Sequence, residues 1–105
     1  MIRPLIFFLT GATTLLLASA LNAAEVTAGR TLAERWCSEC HLIHEDQRRG
    51  NTEAPPFSEI AARPGFDAAR IALALLVPHP PMVGLGLTRN EAANLAAYIQ
   101  SQRQK

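Results

Sequence analysis

The 105-residue chain is poor in the residues that metal clusters and charged surfaces are made from. It has two cysteines, Cys37 and Cys40, and two methionines, Met1 and Met82. A structural zinc site needs about four Cys, His or carboxylate ligands. Here the cysteines are joined only by His41, His44 and His79, without finger-like spacing. The chain also lacks runs of alternating apolar and polar residues. That excludes the βαβ setting in which a C-x-x-C pair serves as a redox disulfide. It lacks an excess of charge of either sign, with Lys and Arg totalling 10 against 9 for Asp and Glu. No basic patch argues for nucleic acid, and no acidic field argues for a basic partner.

What is present is concentrated at Cys37-Ser38-Glu39-Cys40-His41. This reads C-x-x-C-H, the attachment signature for a covalent haem. Two residues between the thiols put both sulfurs on one turn of chain, within reach of two neighbouring vinyl groups. The histidine follows at once, so its imidazole projects under the ring as the proximal iron ligand. One covalent haem c is therefore the expected cofactor.

Residues 1–24 have the order of a secretory signal peptide. Arg3 gives a positive start, Leu5 to Leu17 is nearly all apolar, and small residues follow from Ala18 to Ala24. Cleavage after residue 20, 23 or 24 fits that pattern. The competing reading is an uncleaved membrane anchor. The apolar run is short for a span and lacks a basic C-terminal flank. Cleavage predicts a periplasmic protein and leaves a single domain over 25–105, with nine basic and nine acidic side chains. A domain of 81 to 85 residues has a marginal core of its own. A large apolar disc would add to it.

Glu25 to Arg35 reads as a helix, with Val26, Ala28, Leu32, Ala33 and Trp36 on one face. Gly29 inside it points to close approach of another helix, with a tolerated glycine near a fraying start as the alternative. Trp36 is expected in the core or against the haem. Leu42 to Thr52 reads as a polar surface loop. In it, His44 is read as a solvated histidine rather than a ligand, and Arg48 and Arg49 are either solvated or paired with a haem propionate. Ala54-Pro55-Pro56-Phe57 is a rigid turn. A metal-binding histidine donates its second ring N–H to a fixed acceptor, and the Pro55 carbonyl is the candidate for His41. A short helix is expected from Ser58, as N-cap, to Arg63, ended by Pro64-Gly65.

Asp67 caps a third helix, Ala68 to Val77, whose apolar positions predict that it is largely buried. Pro78 stops it. Met82 then follows three prolines and is the only methionine downstream of the leader. As distal ligand it would raise the haem potential and close the iron site. Gap-filling core is the alternative use, and His79 is the rival ligand. Thr88-Arg89-Asn90-Glu91 is a capping box, starting a last helix with Ala92, Leu95, Ala96 and Ile99 on one stripe and Tyr98 at its edge.

Taken together these parts resemble the small class I bacterial cytochromes c. The resemblance covers the helix with Gly29, the CxxCH, the Ala54-Pro55 turn, the proline loop before Met82 and the final helix. It implies an all-α fold of short helices wrapped around one haem. It also implies near-perpendicular packing of the first and last helices, with Gly29 near Tyr98 and Leu95. Two positions depart from the family pattern. Val83 stands where many relatives have proline, and Ala33 where an aromatic is common.

The expected function is one-electron transfer through a His41/Met82-ligated haem, with transient contacts to redox partner proteins. The protein would not be an enzyme by itself, and a place as the haem subunit of a larger dehydrogenase or oxidase is equally compatible. The alternative class is a haem sensor or gas-binding protein whose Met82 is loosened by Val83, Gly84 and Gly86. A weak peroxidase would need His79 as its acid-base group.

Overall fold

The computed structural model describes residues 25–47, 54–77, 82 and 84–103. Among the described residues there are four helices and no strand. They are α1 over 25–36, α2 Phe57–Ala62, α3 Ala68–Leu76 and α4 Arg89–Ser101. The architecture is all-α.

The last helix is the organising element. Thr88 Oγ1 accepts from Glu91 N at 3.1 Å, and the Glu91 carboxylate accepts from Thr88 N at 2.8 Å. This reciprocal pair is the expected capping box. Ala92, Leu95, Ala96 and Ile99 are buried along one stripe, and Tyr98 joins them at 3% exposure rather than sitting at the edge. Both α2 and α3 pack against this helix.

α1 meets α4 at Gly29. A Cβ on Gly29 would lie 2.8 Å from Tyr98 Cβ and 2.6 Å from the Asn94 carbonyl carbon. No side chain fits there. The mid-helix glycine costs about 1 kcal/mol of helix propensity, and backbone-to-backbone approach is what it permits. The neighbours are Asn94 and Tyr98. Ala33, one turn on, is fully buried. On the outer face Arg30 pairs with Glu34 at 2.9 Å, with both side chains about half exposed. Trp36 ends α1 at 53% exposure, so it is not a core residue.

α2 begins one residue earlier than Ser58. The N-cap position is Pro56, and no side chain caps the helix. Phe57 N instead donates to Leu42 O at 2.9 Å, so the first amide is satisfied by the segment after the CxxCH. The helix ends in a tight turn. Phe66 N donates to Arg63 O at 3.1 Å across Pro64 and Gly65, and Gly65 has φ +75°. Proline then glycine at the two central positions is what a type II turn requires.

Asp67 caps α3 as expected, accepting from Ala69 N and Arg70 N. The helix stops at Leu76, with Val77 extended ahead of Pro78. Its burial differs from the expectation. No residue of α3 is fully buried. Ile71 and Leu75 pack on the core, but Leu73 and Val77, one turn apart, are 63% and 62% exposed. A helix apolar on both faces needs two coverings, and α4 provides one.

Candidate functional site

The C-x-x-C-H segment continues directly from α1. Cys37 N donates to Ala33 O at 2.9 Å, and Cys40 N and His41 N both donate to Cys37 O, at 3.2 and 2.9 Å. The five residues therefore form one turn of chain. The two cysteines differ sharply in setting: Cys37 is 6% exposed and belongs to the core cluster, while Cys40 is exposed. Burial first, and the neighbouring Cys40 second, push the Cys37 thiol up to about 11. At neutral pH that thiol is protonated.

His41 is half-buried, and its Nδ1 lies 2.7 Å from Pro55 O. A carbonyl only accepts, so Nδ1 carries the proton and Nε2 keeps its lone pair. The acceptor is well fixed. Proline at 56 has no N–H and confines Pro55 to extended backbone. Pro56 itself has φ −58° and ψ 149°, and its carbonyl accepts from Glu59 N and Ile60 N. The His41 ring also meets Phe57, with centroids 5.5 Å apart. Phe57 in turn meets Tyr98 edge-on at 6.2 Å. Tyr98 Oη donates to Ile43 O at 3.0 Å, tying α4 to the segment that follows the histidine.

That segment is not a plain surface loop. Ile43 is 1% exposed and fully in the core. Gln47, which sequence reasoning passed over inside a polar run, is half-buried. Its Nε2 donates to Ser38 O at 2.9 Å and His41 O at 3.1 Å, and its Oε1 accepts from Ile43 N at 2.8 Å. The only signal in the sequence was a carboxamide six residues after the histidine. Nothing in composition distinguishes it from its solvated neighbours. His44 lines a polar cleft of about 250 Å³ with Arg30, Glu45, Asp46, Tyr98 and Arg103, a setting that includes neither cysteine.

Met82 is half-buried. Residues 1–24, Arg48, Arg49, His79 and Val83 lie outside the described residues. No helix among the described residues is long and apolar enough to cross a membrane.

The donor set fits a covalent haem. Two thiols and an imidazole share one turn, and the imidazole is fixed through Nδ1 with Nε2 free to bind iron. Trp36, directly before Cys37, leaves a large apolar side chain 53% exposed beside the motif. The fold and this donor set define a c-type cytochrome. The chain is 41% identical over 85 residues to cytochrome c-552 of Bradyrhizobium diazoefficiens, covering 81% of this chain and 82% of that protein. It belongs to the small bacterial c-type cytochromes. Its cofactor is accordingly one covalently attached haem c, the group that defines this family. No family model matches the chain, and no solved structure matches it.

Proposed function

We propose that this protein is an exported, periplasmic one-electron carrier whose haem iron is held by His41 and Met82. The observation that carries the reading is the 2.7 Å contact between His41 Nδ1 and Pro55 O. It presents Nε2 as a ligand with a set tautomer and makes the imidazole a stronger donor. Cys37 and Cys40 form the thioethers. Met82, after the proline-rich stretch 78–81, would supply a soft thioether ligand, which favours a raised potential. When bound, the haem supplies a one-electron iron couple.

The chain's own contribution is to hold still. The CxxCH turn, the Pro55 carbonyl and the packed Phe57 ring restrain His41, so little need reorganise as the charge on iron changes. No acid-base group is required, and the protein acts as a carrier rather than an enzyme by itself. Redox partner proteins meet it through small, transient contacts. Export rests on the leader-like order of residues 1–24, with the working domain over 25–105.

The test is the visible spectrum of the oxidised and reduced protein beside Met82→Ala. Haem bands that survive denaturation and extraction establish attachment. A far-red sulfur-to-iron band, present in the wild type and lost in Met82→Ala, establishes Met82 ligation. Covalent haem lacking that band in the wild type, with ready binding of carbon monoxide by the reduced form, moves the protein to the sensor class.

A further inference from the structure

We propose that Gln47 is the positioning residue for the proximal histidine. The inference rests on His41 being an iron ligand and adds a second point of control behind it. α1 ends at residue 36, and the turn that follows leaves carbonyls without intrahelical partners. Gln47 takes two of them. Its amide nitrogen donates to Ser38 O, within the CxxCH, and to His41 O, on the ligand residue itself. Its amide oxygen takes Ile43 N. One carboxamide thus ties the middle of the motif, its last residue and the segment leaving it.

The side-chain chemistry is specific. Two N–H donors on one nitrogen and an acceptor beside it are what an amide has. A carboxylate keeps the acceptor alone, and a hydrocarbon keeps neither. Pro55 fixes the His41 ring through Nδ1, while Gln47 fixes the His41 backbone through its carbonyl. Both restraints are needed to define a ring plane. With the backbone free, the Nδ1–H to Pro55 contact lengthens and the imidazole becomes a weaker donor. A weaker donor stabilises the ferric state less, so the midpoint potential rises.

The experiment uses full-length, haem-loaded protein as wild type, Gln47→Leu and Thr88→Ala. Thr88→Ala removes the α4 cap, which lies outside the loop, and controls for general loss of stability. Two quantities are read: the midpoint potential and the exchange rate of the His41 ring N–H by NMR. The expected result for Gln47→Leu is a raised potential and ring-proton exchange faster by about tenfold, the effect of losing one to two net hydrogen bonds. Thr88→Ala should leave both near wild type.

A Gln47→Leu protein whose potential and exchange move no more than those of Thr88→Ala overturns the proposal. If Gln47→Leu does not take up haem, Gln47→Asn is read instead, since it keeps the amide but is one methylene shorter. A shift in the same two quantities supports the positioning role, and none overturns it. The wild type separates the two failures. A wild type without a histidine-ligand signature strikes the ligation reading, whereas a normal wild type with unmoved variants strikes only Gln47.

Discussion

Cys37 and Cys40 look equivalent in the motif, yet one is core and the other faces solvent. The two attachment points should therefore fail differently. Cys37→Ala removes a buried side chain and its thioether together, while Cys40→Ala removes an exposed anchor. Thermal melts of the two singly attached proteins should place Cys37→Ala lower. Equal melting temperatures would mean that the burial of Cys37 adds nothing. Tyr98 makes a second prediction at this scale. Burial raises its phenol above the usual value of 10.0. An acid whose folded pKa is raised stabilises the fold below its unfolded value, and that contribution is lost as pH climbs through the folded one. Wild-type stability should thus fall above about pH 10. Tyr98→Phe should flatten that fall and cost about 1–3 kcal/mol at neutral pH, because Ile43 O loses its donor. Denaturant titrations at pH 7 and pH 11 measure both effects.

Among the elements, α1 and α4 are set by one missing side chain. Helix propensity alone says that Gly29→Ala should stabilise α1 by about 1 kcal/mol. The contacts reverse the sign. The new methyl would meet the Asn94 carbonyl and Tyr98 Cβ, and relieving that overlap should cost about 1–3 kcal/mol. Chemical denaturation decides it, and a more stable Gly29→Ala would show that the crossing is loose. The sequence offered this close approach beside a second reading, a tolerated glycine near a fraying helix start, and the contacts with Asn94 and Tyr98 decide for the first. The two capped helices were legible beforehand, since Asp67 and Thr88-x-x-Glu91 carry their hydrogen-bonding instructions locally. The Pro55 acceptor was legible for a different reason: a ligand histidine requires a partner, and a proline pair advertises a fixed carbonyl.

The features that escaped the sequence are tertiary. The start of α2 is decided by Leu42 O, 15 residues away, and not by Ser58. Gln47 and Ile43 sit in a run that reads as loop, but one bridges three backbone groups and the other is core. Leu73 and Val77 carry the periodicity of a buried helix, yet hydrophobicity says that a face will be covered and not by what. At the scale of the whole molecule, the cofactor the family carries is a large apolar disc added to a small core. Taking up haem should therefore stabilise the entire fold, by the linkage that favours any state binding a ligand the unfolded chain does not. Removing the iron while leaving the attached porphyrin would keep the apolar disc and lose only the axial bonds. That species should remain helical by circular dichroism, with a lower melting temperature than the intact protein.

The bond from Tyr98 Oη to Ile43 O joins residues 55 apart in sequence. It has a meaning in time as well as in space. The histidine and both cysteines are made before the helix that seats them. A chain emerging from a ribosome displays its attachment motif before α4 has been made. At that stage Cys37 is as accessible as Cys40, a parity that the folded chain removes. The core that buries Cys37 is completed only by Leu95, Tyr98 and Ile99 of α4.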